Sequence, residues 1–150
     1  MLKNVWKGIF IIYLLMLLIF IVFKFDGSIQ MVINTIEMNM YRRELGGLTA
    51  NLIPFRTIEA YIGDINQGIS FVNILGNIIP FIPMGFIIPM AFPSQRNIIK
   101  TMFYCLLIII SIEVLQLILF LGIFDIDDII MNQLSCIIGF MLFITYKKFY

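Results

Sequence analysis

The feature that most constrains this chain is a set of four long apolar runs, at about residues 8–23, 71–92, 98–121 and 129–146. Runs of this length approach or exceed the ~20 residues a helix needs to cross the hydrocarbon layer of a bilayer. In that layer each backbone N–H and C=O must find its partner within the protein, so such runs fold as helices. Composition agrees, with 61% hydrophobic and 13% charged residues in 150, too few polar side chains to cover a soluble domain. The expected fold is all-α: one domain over residues 1–150, a multi-pass transmembrane helical bundle of about four spans.

The first run lies between Lys7 and Lys24, and its 16 residues reach only ~24 Å. Snorkelling lysines and the preceding Val5–Trp6 extend it. A signal peptide is the competing reading, but the run ends in bulky Phe23–Lys24–Phe25 rather than in a small-residue cleavage site. A retained anchor is expected. The second run carries Pro80, Pro83 and Pro89, breakers that a membrane helix tolerates when neighbours satisfy the released backbone groups. Glu113 and Gln116 interrupt the third run; Asn132, Gln133 and Ser135 lie in the fourth.

The connection between the first two runs is not apolar enough to cross. Within it Ile29, Val32, Ile33, Ile36 and Met40 recur at helical spacing after Ser28, a candidate N-cap. This predicts an amphipathic interfacial helix, closed by Arg42, Arg43 and Glu44. A linker helix packed on the spans is the alternative. Lys3, Lys7, Arg96, Lys100, Lys147 and Lys148 lie at one set of span ends, against Lys24 at the other. That asymmetry places both termini on the cytoplasmic side of the plasma membrane. Trp6, Tyr146, Phe149 and Tyr150 then form the inner aromatic belt.

Several function classes fall away. The absence of histidine removes Ser-His-Asp and Cys-His nucleophile systems and HExxH zinc sites. Cys105 and Cys136 lie 31 positions apart inside apolar runs and read as packing residues. A net charge of +1 without a basic patch gives no nucleic-acid partner.

The chemistry concentrates elsewhere. With the topology above, Asn73 and Asn77, Glu113 and Gln116, the turn Asp125-Ile126-Asp127-Asp128, and Asn132 all fall at similar depth toward the outer face. Asp128, Asn132, Ser135 and Gly139 make a continuous polar and small stripe on one helix face. Such a stripe also serves as glue between helices. An ionised carboxylate at mid-membrane costs roughly 2.5–3.5 kcal/mol, so Glu113 needs a partner, water or a proton. Arg56 is the candidate partner, with residues 51–57 folding back over the outer mouth; a raised pKa is the alternative. Asp125, Asp127 and Asp128 are the residues that would hold a divalent cation, although the pattern is not an EF-hand. A solvated acidic turn with Asp128 as helix N-cap is the simpler reading, and no cofactor is expected.

NLIPF at 51–55, GNIIPFIPMGFIIP at 76–89, SIEVLQ at 111–116 and DIDDIIMN at 125–132 together resemble the VanZ-like family of membrane proteins. The resemblance runs from about residue 48 to 143. It maps the family's characteristic positions onto Asn51, Pro54, Phe55, Asn77, Pro80, Phe81, Pro83, Gly85, Glu113, Gln116, Asp125, Asp128 and Asn132. It implies a bacterial cell-envelope role linked to teicoplanin resistance. The chain departs from the family pattern before the acidic turn, where it reads LGIFD, and near Ser135 and Cys136, where a glycine is usual.

The functional expectation is a binding protein whose outer polar pocket engages an envelope lipid or a lipid-linked cell-wall precursor, or the glycopeptide itself. Its partners are membrane lipids, and no protein partner is named. One rival is an enzyme in which the acidic turn holds a divalent cation and Glu113 acts as acid or base on a lipid-linked phosphate. The other is a structural subunit of a membrane complex.

Overall fold

The computed structural model describes residues 2–23, 28–64 and 68–149; Lys24, Phe25 and Tyr150 of the expectations above lie outside them. In chain order the elements are α1 (Leu2–Phe23), α2 (Ile29–Glu44), β1 (Ala50–Asn51), α3 (Arg56–Gly63), α4 (Ile69–Ile78), α5 (Ile82–Ala91), α6 (Ile98–Ile118), β2 (Phe124–Asp125) and α7 (Ile126–Phe149). Four helical stretches are long and apolar enough to cross a membrane: Asn4–Val22, Ser70–Ala91, Ile98–Ile118 and Ile126–Phe149. The all-α bundle of four spans is therefore the fold, with α4 and α5 sharing the second crossing.

That second crossing is broken where the sequence places its prolines. A 3-10 turn at Ile79–Phe81 separates α4 from α5. Pro83 has no N–H to return to the preceding turn, and its ring crowds the carbonyl there. At the break the Pro80 carbonyl accepts the Tyr13 hydroxyl at 2.8 Å, a partner from another span. The same contact fastens α1, which otherwise leans on α5 through Leu17 and an edge-on Phe10–Phe92 pair at 5.3 Å. Trp6 and Tyr146 both meet the Phe86 ring, at 5.9 and 5.7 Å, gathering aromatics at the end where the termini lie.

The core is the α5–α7 interface, where side chains are removed so that backbones can meet. A Cβ on Gly85 would run into the Cys136 carbonyl, and one on Gly139 into the Ile82 carbonyl. Small residues at such positions give van der Waals contact between helices that the bilayer cannot supply by hydrophobic exclusion. The close approach arises from Gly85 and Gly139, so it survives the missing glycine near Ser135. Cys105 and Cys136 are fully buried packing residues, as their apolar settings imply.

Several helix ends differ from the apolar runs, with the first span starting at Asn4 and the fourth ending at Phe149, and two of the differences have a visible cause. The third span ends at Ile118 in a Schellman turn: Leu121 N–H donates to the Gln116 carbonyl and Phe120 N–H to that of Leu117. Phe120 takes the left-handed position usually given to glycine, at φ 59°. Helix α2 holds that turn. Asn39 donates to the Phe120 carbonyl at 2.8 Å, and Arg43 donates to the Leu117 carbonyl at 2.6 Å with its guanidinium 4.3 Å from the Phe120 ring. The amphipathic helix thus follows Ser28, whose side chain makes no capping hydrogen bond, and is tied by its polar face to the end of α6, leaving Ile29, Ile33 and Met40 exposed. The fourth span begins at Ile126 rather than 129, because Asp125 and not Asp128 caps it, accepting the Asp127 N–H at 2.9 Å.

Gly139→Val is expected to destabilise the bundle by about 1–3 kcal/mol through overpacking against Ile82. Gly8→Ala, which meets nothing, is expected to change stability by less than about 0.5 kcal/mol. Thermal unfolding of the detergent-purified proteins by circular dichroism checks both.

Candidate functional site

The end of the bundle that carries the α6–α7 connection is closed by the returning segment 50–63. Its first residues pair with the connection as a two-residue parallel ladder, Ala50 beside Phe124 and Asn51 beside Asp125. The ladder is too short to hold by itself. Side chains complete it: Asn51 Nδ2 donates to Asp125 Oδ1 at 3.1 Å and to Thr57 Oγ1 at 2.9 Å, while the Thr57 hydroxyl donates to Asp125 Oδ2 at 2.6 Å.

Asp127 provides the main anchor. It has no solvent exposure, and its carboxylate accepts the backbone N–H of Phe55 at 2.6 Å, Thr57 at 2.7 Å and Ile58 at 3.2 Å. Phe55 precedes α3 with φ 69° and offers no capping side chain, so Asp127 caps that helix from another part of the chain. A left-handed conformation at a bulky residue is strained, and the charged hydrogen bond to its N–H holds it in place. Pro54 and Phe55 are exposed at this turn.

Beneath the cap lies a cavity of about 80 Å³. Its lining comes from five helices: Phe20 and Ile21 of α1, Tyr61 of α3, Asn73, Gly76 and Asn77 of α4, Ile112, Glu113 and Gln116 of α6, and Asp128 and Asn132 of α7, with Phe81 at the floor of the break. The convergence of Asn77, Glu113, Gln116, Asp128 and Asn132 expected from spacing is therefore present. Asn77 Nδ2 donates to Asp128 Oδ1 at 2.5 Å. Glu113 is 2% exposed, and its Oε2 lies 3.5 Å from the Asp125 amide nitrogen. Asn132 is 1% exposed, and its side-chain oxygen has no hydrogen-bond partner.

The acidic turn divides between two tasks. Asp125 and Asp127 face the returning segment, and Asp128 faces the cavity, so the three do not converge on one point for a cation; among the described residues no such cluster of ligands is present. Arg56, the candidate partner for Glu113, is exposed in the first turn of α3 and does not line the cavity. The returning segment does cover the mouth, fastened by its backbone and Thr57 to Asp125 and Asp127. Of the remaining motif residues, Phe81 and Gly85 are buried at the break and the α5–α7 contact, Pro80 gives its carbonyl to Tyr13, and Pro83 is exposed at the start of α5.

Sequence reasoning missed Thr57 and Tyr61. Their spacing of four on α3 puts them on one face, but nothing local says that this face meets the acidic turn. Tyr61 is pushed up to about 12, by burial first and then by the Asp128 and Asp125 carboxylates. Its phenol therefore stays protonated at neutral pH and serves as a hydrogen-bonding wall of the cavity.

Asp127→Asn retains one acceptor oxygen but turns an NH2 toward amide donors. The expected loss is about 2–3 kcal/mol in the anchoring of residues 55–58, read as faster hydrogen exchange at Phe55, Thr57 and Ile58. Asp128→Asn, which makes none of these contacts, is expected to leave that exchange unchanged.

The fold and this geometry can be set beside known proteins. No solved structure matches the chain. Among curated proteins, Protein VanZ of Enterococcus faecium is 26% identical over 141 residues, covering 94% of this chain and 74% of that protein. The family model described as VanZ/LLP1 matches residues 10–147, which reach into all four spans and include the returning segment and the acidic turn. The chain belongs to the VanZ/LLP1 family.

Proposed function

We propose that this envelope membrane protein binds the polar headgroup of an outer-leaflet lipid or lipid-linked wall precursor in the cavity beneath the 50–63 cap, and that this binding underlies a link to teicoplanin resistance. The observation that carries the reading is the Asn132 side-chain oxygen, buried without a partner among Glu113, Asp128, Asn77 and Gln116. An unmet buried acceptor costs about 1–3 kcal/mol, and a hydroxyl or amine donor from a bound molecule removes that cost. A volume of about 80 Å³ is room for several waters or one small polar group, since a single water needs roughly 10–15 Å³. The cavity therefore suits the part of a headgroup nearest its glycerol or prenyl anchor, with any glycan remaining outside. Because Asp125 and Asp127 are engaged with the cap, the geometry favours binding over metal-assisted chemistry.

The orientation belongs to the same proposal. With both termini cytoplasmic, as the lysine and arginine distribution favours, the cavity opens to the outer leaflet. That is where wall precursors emerge and where the lipid tail of teicoplanin would insert. In intact cells an impermeant thiol reagent is expected to label Ile123→Cys and to miss Ser94→Cys; both positions are exposed, and the native cysteines are buried. The reverse pattern would turn the cavity to the cytoplasm and end the proposal.

Asn132→Leu removes the orphaned acceptor at similar volume, so the variant is expected to be at least as stable as the wild type. Expressed in a susceptible Gram-positive host, the wild type is expected to raise the inhibitory concentration of teicoplanin more than that of vancomycin, and Asn132→Leu to lose the effect. Full protection by the folded variant would sink the headgroup reading.

A further inference from the structure

Apolar clefts adjoin the polar cavity. Ile112, which lines it, also lines a cleft of about 270 Å³ between α1 and α6, walled by Leu14, Leu17, Leu18, Leu107 and Leu115. Ile108, in that cleft, also lines a second one of about 330 Å³ walled by Phe10, Ile88, Phe92 and Tyr104. The clefts exist because α1 packs on α5 and meets α6 only sparsely. Ser111, on α6 in the first cleft, donates to the Leu107 carbonyl at 2.7 Å and so presents no unmet donor. The polar chamber and the two apolar clefts thus adjoin in series, sharing Ile112 and then Ile108.

We infer that the α1–α6 gap holds an acyl or prenyl chain of the same lipid whose headgroup enters the cavity, an inference that rests on the headgroup reading. Ile112 lies six residues, about 9 Å, below the end of α6 at Ile118. A headgroup drawn to that depth pulls its attached chain below the level of bulk lipids, so the chain must descend along protein. From Ile112 to Tyr104 the clefts follow α6 for about 12 Å, from about 9 Å to about 21 Å below Ile118, so a chain held along them passes the midplane at ~15 Å. Apart from Ser111 the walls of the first cleft are aliphatic, which matches a hydrocarbon chain, and the polar groups of the second, Gln95 and the Tyr104 phenol, belong to its far end. Buried Leu17 and Ile112 form the floor, and exposed Leu107 and Leu115 form the lip facing the bilayer.

The test feeds a diazirine-bearing palmitate to the expressing host, so that it is incorporated into the membrane lipids whatever their headgroups. After illumination, cross-links on the purified protein are mapped by mass spectrometry, and co-purified lipid is measured in parallel. The wild type is expected to label residues 14–18 and 107–115 severalfold more than the exposed α7 face at Leu134, Ile138 and Met141. Ser111→Trp, which fills the gap from its exposed side, is expected to remove that excess, and so is Asn132→Leu, while α7 labelling stays constant. Equal labelling of the gap and the α7 face, with co-purified lipid still falling in Asn132→Leu, would overturn the chain site and leave the headgroup reading standing. Excess labelling that Asn132→Leu does not change would mean a chain from an unrelated lipid, and also overturns the inference. If Asn132→Leu alters neither labelling nor co-purified lipid, the headgroup reading falls with it.

Discussion

The buried carboxylate of Asp127 is the contact on which the closed end of the molecule depends. It accepts three backbone N–H groups from a segment some seventy residues earlier in the chain. A carboxylate without solvent exposure is costly unless its oxygens are occupied, and amide donors at a helix start are unoccupied unless an acceptor reaches them. Each group resolves the other's deficit. The pairing sets the left-handed turn at Phe55, starts α3, and brings Tyr61 over the cavity. Asp125 repeats the arrangement with side chains, joining Asn51 and Thr57, and caps α7 with the same carboxylate.

The spans below this cap are assembled by close approach rather than by exclusion of water. Gly85 and Gly139 let α5 and α7 touch backbone to backbone, and the proline-induced break above them exposes a carbonyl that Tyr13 satisfies. The two features are linked. The 3-10 turn at Ile79–Phe81 separates the stretch that carries Asn73 and Asn77 from the one that carries Gly85, and Asn77 reaches Asp128. The polar chamber lies beside this break, between α4, α6 and α7.

That chamber differs from the polar glue common between membrane helices. Glue is satisfied internally, as in the bond from Asn77 to Asp128. The oxygen of Asn132 is unmet, as are those of Gln95 and Gln133, and of these three Asn132 is the one that lines the cavity. A polar chamber beside lipid-facing apolar clefts is the arrangement on which the proposed lipid binding rests.

The sequence by itself determined the four spans, the amphipathic helix after Ser28, the break at the prolines and the polar face of the fourth span, because hydropathy and helical period are local properties. It also determined that Asn77, Glu113, Gln116, Asp128 and Asn132 share a depth, since span length fixes depth once the ends are known. Tertiary structure alone decided which polar group meets which. Nothing along the chain distinguishes Asp125, Asp127 and Asp128, yet a rotation of about 100° per helical residue sends Asp127 to the cap and Asp128 to the cavity. The start of α7 at Ile126 followed from Asp125 turning back on its own backbone, and the exposure of Arg56 from α3 being held by its N-terminal amides instead of by its side chains. Backbone donors carry no mark in a sequence. Their use by an acid seventy residues away becomes legible only when the fold has placed them.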